Sequence, residues 1–237
     1  MPVTPEPQRF FFVHLQKTAG TALLKRMKEQ FGETPIYPDR TDGILPDAIL
    51  VWEHLAERFA TRRDEIRVVT GHFPLCVSEL LGGPFTTLTV LREPVERTLS
   101  YLRHHRVLLQ EDRDTPLVEI YEDPFRYQGL VHNHMVKMFA LTPETMTAGA
   151  LTPVDFERHH LELAKERLAT VDVVGVQERF EEFCAELERR FGWDLGPPLF
   201  ANRTTPFEVS EEFRARIAAD NALDVELYEY ARDELAI

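Results

Sequence analysis

Three short segments of this sequence carry residue types that could hold an anion or move a proton. The first is Gln16-Lys17-Thr18-Ala19-Gly20-Thr21-Ala22, between the apolar run RFFFVHL (residues 9–15) and an amphipathic stretch, Thr21 to Phe31. Amides of Thr18 to Ala22 can converge on an anion where a helix begins, and the helix dipole favours negative charge there. Gly20 permits close backbone approach, Thr18 and Thr21 offer hydroxyls, and Lys17 adds a full charge. A Walker loop places its lysine after the glycines. Here the lysine precedes Gly20 with no glycine four or five residues upstream, which disfavours an ATPase. The plain alternative is a surface turn with a solvated lysine.

The second segment is Arg92-Glu93-Pro94-Val95-Glu96-Arg97, with Ser100 eight residues after Arg92. Pro94 suits a first helical turn, so Arg92 falls at the end of the preceding strand and Ser100 about two turns along. A guanidinium and a hydroxyl held so can grip a second phosphate. Glu93 or Glu96 could instead pair with the arginines. The third segment is Gly71-His72-Phe73-Pro74, where an imidazole titrating near neutrality can accept a hydroxyl proton or merely satisfy loop amides. Of the other histidines, His14 lies on the first strand with its facing open. His104, His105, His132 and His134 are candidates for an acceptor cleft, and His159 and His160 fall in a charged helix. No His, Cys or carboxylate cluster has metal-site spacing, so metal-free chemistry is expected.

These segments need strands behind them. Residues 9–15, 66–70, 86–91 and 171–176 read as strands, being apolar and β-branched or aromatic. Helices are expected over 21–31 (ending at Gly32), 50–60, 94–109, 124–141, 153–169, around 180–191 (ending at Gly192), and from a Ser210 cap to the C-terminus. Strands alternating with helices predict an α/β fold with three layers, a central parallel sheet flanked by helices, whose ligands lie beyond the carboxyl ends of the strands. With 237 residues and no Gly/Ser linker, residues 1–237 read as a single domain.

The formal charge of −13 weighs against nucleic acid and anionic membranes as partners. No apolar run is long enough to cross a bilayer, and the proline-rich start lacks the order of a secretory signal. Two cysteines suit a reducing compartment, so a cytoplasmic location is expected. Within this acidic chain, residues 9–28 hold five basic residues and no acid.

Taken together, HLQKTAGTAL and LREPVERTLSYL resemble the phosphate motifs of sulfotransferases that use 3′-phosphoadenosine 5′-phosphosulfate (PAPS). The branch is that of heparan sulfate 2-O-sulfotransferase and its bacterial relatives. The resemblance continues through NHMVKMF (133–139), GVQE (175–178), Asn202-Arg203-Thr204 and NALDVELY (221–228). Two departures are Glu93 where Asp is commoner and Lys137 where arginine is usual. The resemblance implies a P-loop NTPase-like sulfotransferase fold with PAPS as donor and 3′-phosphoadenosine 5′-phosphate as product. It implies that Lys17 and the 18–22 loop hold the 5′-phosphosulfate, Arg92 and Ser100 hold the 3′-phosphate, Arg203 closes over the nucleotide and His72 is the catalytic base. A kinase of P-loop type and a non-catalytic nucleotide-binding module are the rival functions. The acids between His104 and Leu151 point to a small-molecule, lipid, glycan or carrier-bound hydroxyl acceptor of low charge.

Overall fold

A computed structural model describes residues 8–43, 47–109, 113–197 and 209–237. In chain order the elements begin β1 (Phe10–Val13), α1 (Gly20–Phe31), β2 (Ile36–Tyr37), α2 (Asp47–Leu50), α3 (Trp52–Thr61), β3 (Val68–Val69) and α4 (Cys76–Leu80). They continue with β4 (Thr86–Leu91), α5 (Pro94–Leu108), α6 (Leu117–Glu122), α7 (Pro124–Arg126), α8 (His134–Ala140) and α9 (Arg158–Leu168). The last are β5 (Val173–Val176), α10 (Phe180–Phe191), α11 (Glu211–Asp220) and α12 (Ala222–Tyr230).

All five strands are parallel, in the order β2-β3-β1-β4-β5. Alternation along β1 sends Phe10 and Phe12 to one face and Phe11 and Val13 to the other, and all four are buried. On the first face they meet Leu23 and Met27 of α1 and Phe183 and Leu187 of α10. On the second they meet Leu55 and Phe59 of α3, Met135 and Phe139 of α8, and Leu161 of α9. This gives the expected three layers. Helix α5 forms a third cluster, through Leu99 and Leu102, with Ile120 of α6 and Ile217 of α11.

Because β3, β1 and β4 are adjacent and parallel, the loops holding His72, Lys17 and Arg92 leave the same sheet edge side by side. Gly175 in β5 has a packing role, since a β-carbon there would lie 2.5–2.9 Å from atoms of the Phe183 side chain. Gly175→Ala is expected to cost about 1–3 kcal/mol by overpacking, read as a lower urea midpoint with unchanged slope.

Several expected elements are corrected. The helix anticipated over 124–141 is broken: α7 passes into a π-helical turn, Tyr127–Val131, and Asn133 adopts a left-handed conformation (φ 42°) before α8. Two buried cations explain the break. Lys137 Nζ donates to the Gln128 and Gly129 carbonyls at 2.7 and 2.9 Å, and Arg97 donates to Leu130 and Val131 at 3.3 and 2.9 Å. Four successive carbonyls that a regular helix would use internally are thus turned to side chains.

The anticipated helix 153–169 starts only at Arg158, where Glu157 and His160 cap reciprocally. The anticipated strand 66–70 narrows to two residues, and the two-residue β2 was not foreseen. Ser210 caps α11 as expected, its hydroxyl accepting the Phe213 amide at 3.2 Å, but the helix pauses at Asn221 before α12. The pause serves a contact. Asn221 accepts the Asn133 amide at 2.8 Å, and Asn133 in turn accepts the Asp224 amide at 3.1 Å, tying α12 to α8.

Candidate active site

The loop after β1 has the shape of an anion cradle, made without a glycine at its strained positions. Lys17 and Ala19 both have left-handed φ, 68° and 67°, whereas Thr18 and Gly20 do not. Alternating hand along successive residues turns their amides toward one concavity. No amide from Lys17 to Thr21 donates to a described residue, and α1 starts with neither a side-chain cap nor an acid in its first turn.

Two details differ from expectation. The Ala22 amide is spent on the Ala19 carbonyl at 2.9 Å, so the available amides end at Thr21. The Thr18 hydroxyl donates inward to the Leu15 carbonyl at 2.9 Å, leaving its backbone N–H as the outward group.

Arg92 reaches back to this loop and donates from Nη1 to the Lys17 carbonyl at 3.1 Å. It thereby braces the strained residue. Its Nε is buried without a partner. Neither Lys17 nor Arg92 has an ion-pair partner among the described residues. The acids that might have answered them are used elsewhere. Glu93 caps α5, accepting the amides of Val95 and Glu96 at 3.0 and 2.8 Å, and Glu96 pairs with Arg214 at 2.6 Å. Glu178, at the end of β5, accepts the Glu93 amide at 3.2 Å. Burial and mutual repulsion push the Lys17 pKa down. Burial likewise lowers that of Arg92, with Arg103 adding repulsion. An anion would relieve both groups. Ser100 stands half-buried on α5, and Arg203 lies outside the described residues.

His72 is fixed by two backbone bonds. Its Nδ1–H donates to the His14 carbonyl at 2.8 Å, and its amide donates to Ile49 at 2.8 Å. That bond selects the tautomer with its lone pair on Nε2, which meets no described residue. Burial and the nearby Lys17 charge lower the His72 pKa, favouring the neutral, basic form. Among the described residues, no group of three or more His, Cys, Asp or Glu is placed to hold a metal ion. No helix among them is long and apolar enough to cross a membrane.

No protein-family model matches this chain. Its sequence is 26% identical over 270 aligned positions to heparan-sulfate 6-O-sulfotransferase 2 of Homo sapiens, covering 94% of this chain and 44% of that protein. The Mus musculus protein of the same name gives 26% over 94% and 43%. The chain therefore spans less than half the length of these curated relatives. In fold it is similar to a crystal structure of a sulfotransferase from Alicyclobacillus acidocaldarius, with a TM-score of 0.50 and 17% identity over 94% of each chain. These likenesses are all to sulfotransferases, and the structural one is a likeness of fold.

Some histidines expected at a cleft are placed elsewhere. His134 is fully buried, and His132 stacks flat on Tyr127 at 5.0 Å, so packing and not an open cleft holds them. His104 is exposed on α5, and burial and the Lys17 charge both lower its pKa. Arg103 was passed over by the sequence reasoning. It lies three residues after Ser100 on the same face of α5, its Nε is buried without a partner, and its charge is felt by Arg92. The i,i+3 spacing from Ser100 was the available signal. Two other arginines of these segments, Arg97 and Arg26, are buried. Arg97 holds backbone carbonyls, and Arg26 makes a bidentate pair with Glu181 at 2.8–3.0 Å.

Proposed function

We propose that the chain transfers a sulfuryl group from PAPS to an acceptor hydroxyl, with His72 as general base. The observation that carries this reading is the adjacency of three strand ends. They bring an uncapped amide cradle, two unanswered cations and an oriented neutral imidazole to one edge. The residues present fit the donor's two phosphate groups. Lys17 and the amides of residues 17–21 suit the 5′-phosphosulfate end, while Arg92, Ser100 and Arg103 suit the 3′-phosphate. When bound, PAPS supplies a sulfuryl group on a stabilised leaving phosphate.

His72 Nε2 takes the acceptor's hydroxyl proton as the acceptor oxygen bonds to sulfur, and the electron pair of the broken sulfur–oxygen bond stays on the phosphate. Lys17 and the cradle amides stabilise the charge that grows there, a preorganised electrostatic role. None of these roles calls for a divalent ion, which separates the reading from a kinase. The named activity of the curated relatives is on heparan sulfate. For this chain we favour a glycan or other alcohol of low negative charge, because acids such as Glu119, Glu122 and Asp123 crowd the segment after α5.

Calorimetry with 3′-phosphoadenosine 5′-phosphate, followed by transfer from labelled PAPS in the presence of a chelator, tests the reading. Binding and metal-independent transfer are expected; no binding would overturn it. Arg92→Ala and Arg103→Ala are each expected to weaken the nucleotide by about 10- to 100-fold, the worth of a charge-assisted hydrogen bond. The deficit should shrink at high salt as screening weakens the parent's own attraction.

A further inference from the structure

The mechanism above uses only the backbone carbonyl of His14, yet its side chain lies against the first residue of α1, at the cradle. Its ring stacks on Phe12 at 5.2 Å between centroids, with the planes 14° apart, and tilts against His72 at 4.7 Å. A third side of the ring lies over the first residue of α1. Gly20 has an ordinary helical backbone there, so no unusual φ calls for glycine. The imidazole does. A β-carbon on residue 20 would run into the Cδ2, Nε2 and Cε1 atoms of His14. The glycine expected to admit a ligand's phosphate thus also makes room for an imidazole edge at the mouth of the cradle.

The ring is half-buried, and neither nitrogen bonds to a described residue, although side-chain polar atoms held this firmly usually find a partner. Its titratable neighbours are His72 and Lys17, and the Lys17 charge, like burial, favours the neutral ring. A neutral imidazole keeps one N–H, and at a helix N-terminus it can polarise an oxygen without carrying charge, an arrangement known from an unrelated isomerase.

We propose that His14 is a donor-side catalytic residue, whose imidazole N–H hydrogen-bonds the 5′-terminal oxyanion of the nucleotide held by the 16–21 loop while His72 serves the acceptor. This inference rests on the sulfotransferase reading and adds a division of labour to it. One residue orients the base through its carbonyl and meets the donor through its ring, so the two adjacent imidazoles divide donor and acceptor between them.

Long-range proton–nitrogen NMR of histidine-labelled protein, titrated with 3′-phosphoadenosine 5′-phosphate, is the first test. The His14 ring nitrogens should move together with the backbone amides of residues 17–21. Movement of those amides with an unchanged His14 ring would overturn the inference. If neither moves, the nucleotide is not held there and the sulfotransferase reading itself falls. The second test is transfer from labelled PAPS. His14→Ala should lose roughly 100-fold in kcat, as for removal of one oxyanion donor. Its KM for PAPS should stay within about threefold, because a donor acting on charge that develops in the transition state contributes little to ground-state binding of the substrate. His14→Gln, which keeps an N–H, should recover at least about tenfold of the loss if the hydrogen bond is what matters. A kcat in His14→Ala equal to the parent's, or equal losses in both variants, would assign the ring to packing alone.

Discussion

Alanine at position 72 is expected to lower sulfuryl transfer by about 10²- to 10⁴-fold, the usual contribution of a positioned general base. Nucleotide affinity should stay within about threefold, since the imidazole bonds only the His14 backbone carbonyl and makes no bond to Lys17, Arg92 or Arg103. The pH profile gives a sharper check. The base works only when neutral, and burial together with the Lys17 charge draws its pKa below the ordinary 6.5. In the parent, kcat/KM should therefore rise with pH through a midpoint below 6.5 and level off above it. Lys17→Met removes one of the two depressing influences, so its residual activity should show that limb at higher pH. An acid limb at or above 6.5 in the parent, or more than a tenth of the activity left in His72→Ala, would deny His72 the role.

How far the sequence discloses this site depends on which force shapes each part. The strand–loop–helix units at Lys17 and Arg92 were readable, because apolar β-branched runs, Pro94 and the terminal Gly32 act locally. The adjacency of their loops followed from the parallel sheet those units predict. The cradle's curvature was hidden. Lys17 and Ala19 take left-handed backbone without being glycine, so nothing in their residue types announces it. The broken helix over 124–141 was hidden for a different reason. Its apolar spacing is helical, and the break is imposed by two cations distant or late in the chain, Arg97 and Lys137. Arg97 shows the limit most clearly. It sits inside the phosphate motif, five residues from Arg92, yet α5 turns it into the core while Arg92 stays at the sheet edge.

That buried arrangement leads to the other large effect, on stability. Arg97, Lys137 and Asp224 are all fully buried, two cations against one carboxylate. Asp224 also accepts the Met135 and Val136 amides at 3.1 and 2.8 Å, capping α8 from α12. Asp224→Ala should cost about 3–5 kcal/mol, because it strands two buried charges and two amides. In a chain of this size that corresponds to a melting temperature lower by on the order of 10 °C.

The pH dependence has a definite sign. Burial raises the Asp224 pKa to about 6. The folded state then binds its proton more tightly than the unfolded chain, and stability falls as pH rises toward 6. Burial lowers the Lys137 pKa to about 8, so the folded state releases that proton first, and stability rises as pH climbs above 8. Together the two groups make a shallow minimum between about pH 6 and 8, where both are charged. Urea denaturation of parent and Lys137→Met across pH 5 to 10 isolates the alkaline arm. Lys137→Met should be less stable throughout, since the Gln128 and Gly129 carbonyls lose their donor, and should lack the rise above pH 8. An identical alkaline slope in both proteins would mean that Lys137 carries its charge in the core without cost, and that Asp224 compensates both cations fully.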